Sequence, residues 1–519
     1  MALAVVALAC AVGLWVRARP RTADAAFVHA LFEAALLALP GALVALFAFN
    51  AGGFFPDAPA LGAILLLVCL VIRATFSPRP FAGFGLPLAL VASALALYAG
   101  WTLLSGTWSH TPSRALVEAQ RAVLYLLALV VIGSLPRSAA RVAWMVRGIA
   151  LAMAAVALAA LATRLLPDVL PTSTNVASQR LSFPLTYWNA LGLLGAVASL
   201  LCLHLAASLP EPARVRVAAA GLLPVTCATV FFTFSRGAIA AGLVGAALYL
   251  LLARPRGLAS AVVAAGIPTA VALATAYQAD LLATEHAASS AAVSQGHHVA
   301  RVVVLCAVGA ALLRALLLPV DRRLEQMRLP GRLRRPVLGS ATALALLAVV
   351  AVGAIAEVPG VVSRDLDRFL HTTSTSNSTD LRQRLTDPAN NGRVEHWRVA
   401  IRGFQGDERR GLGAGTYGLL WMRERRASHA NLVVHDAHSL YLENLAELGV
   451  VGLVLLVGAL LGILMAAAIR CRGRHRALYA VVLSAAVTWV LHAGIDWDWE
   501  MPAVCVWLFA LGGLVLAQP

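Results

Sequence analysis

His435-Asp-Ala-His438-Ser-Leu-Tyr441 stands where a polar stretch gives way to an apolar run. A histidine at such a boundary gains or loses a proton near neutral pH, which suits a general base acting on a hydroxyl. The competing reading is a helix-capping histidine solvated at the interface. His435 and His438 with Asp436 also invite a metal reading, but no third strong ligand has suitable spacing, so no metal is assigned. Phe231-Phe-Thr-Phe-Ser-Arg236-Gly-Ala sets one arginine between two apolar runs. An ionisable group at that depth is either functional or snorkels to the interface. Arg180 precedes another apolar run that opens with Tyr187, Trp188 and Asn189, and the aromatic pair also fits an interfacial belt. Arg393-Val-Glu-His-Trp397 and Gly411-Leu-Gly-Ala-Gly415 complete the set. The glycines look like a phosphate loop, but no strand–helix unit surrounds them, so a dinucleotide site is excluded.

The chain contains no lysine, so all 41 basic residues are arginine and the net charge is +16. Lysine nucleophiles and Schiff bases are thereby excluded. Each positive charge is instead a planar fork that matches phosphate oxygens. Several such forks and a histidine near one membrane surface could hold a lipid diphosphate and activate an acceptor hydroxyl, because guanidinium groups neutralise the charge that develops on a departing diphosphate.

These residues must be positioned by membrane helices. The 519 residues are 60% hydrophobic and 13% charged, with mean hydropathy +0.80; soluble domains carry about 25% charged residues. Apolar runs centre on 2–16, 27–49, 60–75, 86–106, 121–135, 143–163, 189–208, 215–234, 237–253, 258–276, 299–319, 339–358, 446–469, 477–494 and 501–517. The expectation is an all-α polytopic membrane protein of about fifteen spans, with a range of 12–15. Arginine-rich turns at 17–21, 137–141, 214–216, 254–256, 322–335 and 470–476 fall on one side by strict alternation, which the positive-inside rule makes cytoplasmic. The opposite face then holds Arg180, Arg236, Arg393 and His438. This arrangement explains the basicity without nucleic acid. Three regions are expected: a helix bundle over 1–358, an extracytoplasmic loop over 359–440, and three closing spans over 441–519. Within the loop, Asn390-Asn-Gly392 reads as a turn, and Arg393–Phe404 as a helix with Val394, Trp397 and Ile401 on one face. Asp436 is the expected cap of a helix through His438. The seven cysteines show no CxxC pair, which leaves no disulfide or zinc framework.

Ser-Arg-Gly-Ala at 235–238, Arg-Val-Glu-His-Trp at 393–397, Gly-Leu-Gly-Ala-Gly-Thr-Tyr at 411–417, and His438-Ser-Leu-Tyr-Leu with Glu447-Leu-Gly-Val-Val-Gly452 follow in that order. With the long loop and the three closing spans, they resemble the bacterial O-antigen ligase and polymerase superfamily, best over about 180–500. The resemblance implies a glycosyltransferase needing neither metal nor cofactor. Such an enzyme moves a glycan from undecaprenyl diphosphate to a glycan, glycolipid or protein acceptor at the outer face of the bacterial cytoplasmic membrane. Carried over by motif, His438 is the base and Arg236 and Arg180 bind diphosphate, with Arg393, His435, Asn189 and Tyr187 in support. The sequence departs from the family pattern in about three additional spans, an insertion over 258–338, and His-Ser where His-Asn is usual. A polymerase of the same superfamily and a non-catalytic multi-span transporter are the rival readings.

Overall fold

The computed structural model describes residues 23–172, 180–284, 289–326, 369, 380–387, 389–425 and 434–519. The described residues form sixteen α-helices and no strand. Twelve helices are long and apolar enough to cross a membrane, and the apolar helix Pro502–Leu516 is shorter. The protein is therefore an all-α polytopic membrane protein, and the twelve candidate spans among the described residues fall at the lower end of the expected range. The expected runs 2–16 and 339–358 lie outside the described residues.

The helices are α1 (Ala23–Ala48), α2 (Asp57–Phe76), α3 (Leu86–Ser105), α4 (Pro112–Gly133), α5 (Ala139–Leu165), α6 (Trp188–Ala207), α7 (Ala213–Thr233), α8 (Arg236–Ala253), α9 (Leu258–Tyr277), α10 (Ser290–Gln326), α11 (Gln383–Thr386), α12 (Arg393–Gly406), α13 (Tyr417–Glu424), α14 (Leu440–Arg470), α15 (Arg476–Ala493) and α16 (Pro502–Leu516). The chain divides into two compact units. The first comprises Met1–Val156, Pro184–Ala190 and Glu395–Pro519; the second comprises Ala157–Phe183 and Leu191–Val394.

In the first unit α16 is the central helix. Every one of its residues is buried, and it packs on α4, α1 and α14. A helix apolar on all sides belongs inside a bundle. In a membrane such packing depends on close backbone approach at small residues. Gly513 provides it, because a Cβ there would collide with the carbonyl of Leu129 on α4. In the second unit α7, α9 and α10 pack on one another. The α7–α8 connection is as tight as its sequence suggests. Phe234 ends α7 in a left-handed conformation, and the Ser235 hydroxyl accepts from the backbone N–H of Ala238 to start α8.

Candidate active site

The helix that follows the His438 loop, α14, is broken at Gly449. Gly449 adopts φ +64° there, and a Cβ at that position would strike the carbonyl of Arg409. The break diverts the N–H groups of Val450 and Val451 to the carbonyls of Glu408 and Arg409. The carbonyls of Ala446 and Glu447 accept instead from Leu412 and Gly413, at 3.0 and 2.8 Å. Trp101 Nε1 donates to the carbonyl of Leu448 at 3.0 Å. The opened backbone is thus satisfied by other chain segments, as buried polar groups require.

The glycine-rich segment does form a cradle of N–H groups, and what it holds is an internal side chain, Glu447. The N–H groups of Gly415 and Tyr417 donate to the Glu447 carboxylate at 2.8 and 2.7 Å. Glu447 is buried. No phosphate role remains for this loop, in agreement with the missing strand–helix unit.

His438 is half-buried and holds a left-handed backbone, φ +52°. A β-carbon disfavours that conformation, so neighbours must hold it. Trp397 Nε1 donates to the His438 carbonyl at 3.3 Å. The His438 ring lies 5.5 Å from the ring of His396, which packs 4.2 Å from Trp421. His396 Nδ1 is 3.1 Å from the Tyr417 hydroxyl. His396, Tyr417 and Trp421 are all buried. The left-handed residue delays the following helix. It begins at Leu440 with Ser439 as its cap, the hydroxyl accepting from Leu442 N–H, so the expected cap at Asp436 is displaced by three residues. On α12 the face buried with this cluster is His396, Val399 and Ala400; of the expected Val394–Trp397–Ile401 face, Val394 is buried and Trp397 half-buried, while Ile401 is exposed.

His435 is exposed, and its Nδ1 lies 3.1 Å from Arg114 Nη2. Arginine only donates, so Nδ1 carries the lone pair and the neutral ring is protonated at Nε2. Desolvation and then the Arg114 charge hold His435 below its ordinary pKa. Burial pushes Asp436 up; Glu118 adds to the rise, and Arg121 and Arg114 oppose it. Burial, then Asp436 and Glu118, also push Glu500 well up. Tyr187 and Asn189 form a separate group in the same unit. The Tyr187 hydroxyl donates to Asp496 Oδ1 at 2.6 Å, and Asn189 Nδ2 donates to Asp496 Oδ2 at 2.7 Å. The Tyr187 ring stacks on Trp497 at 4.2 Å. The aromatic residues here hold a turn together rather than forming only a belt.

In the second unit Arg236 is the first residue of α8, half-buried, and its Nη2 donates to the Ala389 carbonyl at 2.7 Å. Asp387, Arg393 and Arg384 lie within its electrostatic reach. Arg393 opens α12 after a turn in which Asn390 Oδ1 accepts from Gly392 N–H at 2.8 Å, so the expected turn is present. Arg180 is placed differently. Its Nε and Nη2 donate to the carbonyls of Thr233 and Phe234, at 2.7 and 2.8 Å. The structure thus collects Arg236, Arg384 and Arg393, and commits two Arg180 donors to the turn before Arg236.

Sequence reasoning passed over His396, Tyr417, Trp421, Glu447 and Glu500. His396, Tyr417 and Glu447 sit inside the quoted motifs, and their contacts depend on chain separations that spacing does not reveal. Glu500 gives no local signal at all.

An O-antigen ligase family model matches residues 291–457, about a third of the chain. The match supports the O-antigen ligase superfamily, whose members are glycosyltransferase-like. It includes Arg393, His435 and His438, and ends before Asp496; Arg180, Tyr187, Asn189 and Arg236 precede it. No curated protein matches the chain.

Proposed function

We propose that the protein is an inverting glycosyltransferase of the O-antigen ligase type. It moves a glycan from undecaprenyl diphosphate to an acceptor hydroxyl at the extracytoplasmic face of the bacterial cytoplasmic membrane. His438 takes the acceptor proton as its oxygen attacks the anomeric carbon. The new carbon–oxygen bond forms as the bond to the diphosphate breaks, and the electron pair leaves with the diphosphate. Arg236 neutralises that leaving group, with Arg393 assisting. Arg180 contributes through the turn it holds ahead of Arg236. His435, Tyr187 and Asn189 support the site.

The observation that carries this reading is the family match across 291–457, which contains the left-handed His438 in its buried aromatic and histidine surround. A base needs a fixed direction, and a residue held in a disfavoured backbone conformation supplies one. Removal of the protein from its host tests the reading. Accumulation of long, unattached lipid-linked glycan is the expected result. Accumulation of single repeat units would indicate the polymerase instead. Unchanged glycan with a defect in solute movement would indicate the transporter.

A further inference from the structure

We propose that Asp436, Glu443 and Glu500 bind one divalent, oxygen-preferring cation, with Ca2+ the best fit, which ties the His438 loop to the bundle. One carboxylate oxygen from each residue lies within 4.8 Å of the others. The three come from separate parts of the first unit: the 434–439 loop, the first turn of α14, and the short turn Asp498–Glu500.

Two of the three, Glu443 and Glu500, border a small cavity of about 20 Å³, together with Asn444, Glu447 and Glu118. That volume suits a single ion or water. Two of its bordering residues, the proposed ligand Glu500 and Asn444 outside the trio, point to an occupant. Asn444 and Glu500 are each only 6% exposed, yet Asn444 Oδ1 and Glu500 Oε2 make no hydrogen bond. Both are acceptors, so what the site lacks is positive character.

The neighbouring cations Arg121 and Arg114 act on these carboxylates only through space. Arg121 pairs with Glu118 and donates to the Phe54 carbonyl, and Arg114 is engaged with His435. Glu443 Oε2 accepts from the Ala437 N–H at 2.7 Å, which fixes the loop end of the site. The Asp498–Glu500 turn is fixed by the contact of His492 Nδ1 with Asp498 at 2.6 Å and by the Tyr125 hydroxyl donating to the Trp499 carbonyl at 2.7 Å. Asp436 and Glu443 are half-buried, leaving an entry path.

An all-oxygen ligand set selects a hard cation over zinc or copper. Oxygens up to 4.8 Å apart are spanned by two Ca–O bonds of about 2.3–2.6 Å, and less well by Mg–O bonds of about 2.0–2.1 Å. The cation is structural and takes no step in the transfer reaction. The inference holds whichever glycan reaction the protein performs.

The test uses the full-length purified protein in detergent, stripped with EDTA. Ca2+ is added up to about 10 mM, above the ~1 mM upper end of weak calcium sites. The melting temperature should rise saturably by about 3 °C or more once the ion is in large excess over its Kd. Mg2+ should act more weakly. Asp436→Asn and Glu500→Gln should abolish the rise. If a variant does not fold, radioactive Ca2+ binding to the wild type decides: one saturable ion per chain is expected. No saturable binding, no thermal shift, or a shift retained by both variants would overturn the proposal.

Discussion

The indole N–H of Trp397 donates to the backbone carbonyl of His438 at 3.3 Å, and His438 is left-handed at that point. Trp397→Phe keeps the ring and loses the donor. Losing one neutral hydrogen bond of about 1 kcal/mol should slow transfer roughly fivefold. The effect belongs in kcat, with the donor KM and melting temperature little changed, because it loosens the direction of the base. Steady-state kinetics on reconstituted protein measure that split.

Glu447→Gln removes the carboxylate that accepts from Gly415 and Tyr417. One amide end must then face a backbone N–H. The expected destabilisation is about 1–3 kcal/mol, from a buried donor left without a partner. Thermal unfolding in detergent reads it. Because Gly413 N–H bonds to the Glu447 carbonyl, the kink at Gly449 should loosen as well, and transfer should fall with stability.

The comparison of sequence with structure turns on the range of each interaction. The helices on described residues, the tight α7–α8 turn and the Asn390–Gly392 turn follow from hydropathy and local turn chemistry, and these are present. The glycine motif does not read as a dinucleotide loop; its N–H groups instead hold a carboxyl group 30 positions onward, and spacing alone does not reveal that pairing. The missed cap at Asp436 has a local cause: His438 adopts a conformation that no pattern of apolar residues predicts. Arg180 and Arg236 look alike in sequence. They separate only when the backbone carbonyls of Thr233 and Phe234 are seen to occupy Arg180.

That separation is testable. Arg180→Ala should lower the melting temperature, because two helix-end carbonyls lose charge-assisted donors worth about 1.5–3 kcal/mol each. Arg236→Ala should lower the melting temperature less, since it gives up its bond to the Ala389 carbonyl against the two bonds of Arg180, and should weaken binding of undecaprenyl diphosphate by tenfold or more, roughly the ~1.4 kcal/mol that one such contact exceeds. Binding of the lipid diphosphate to both purified variants, alongside their melting curves, distinguishes the two roles.

Asp380 provides a pH-dependent prediction. Arg382 donates to both of its oxygens and also to Asp280, and these bonds hold the Asp380 carboxyl below its ordinary pKa. A depressed acid stabilises the fold above the ordinary carboxylate value and loses that contribution as pH falls through the depressed value. Wild-type protein should therefore lose more stability than Arg382→Met on acidification below about pH 4, the ordinary carboxylate region. Melting curves from pH 6 to about pH 3 show the difference. The effect is modest, as Asp380 is 31% exposed.

The most direct measurement concerns His438. Wild-type and His438→Ala proteins are reconstituted in lipid with an undecaprenyl-diphosphate-linked glycan and an acceptor, and the covalent product is followed in time. Transfer should fall at least about 100-fold, the lower end for loss of a general base, with lipid-diphosphate binding and melting temperature retained. Transfer at the wild-type rate by a folded His438→Ala protein would contradict His438 as the base.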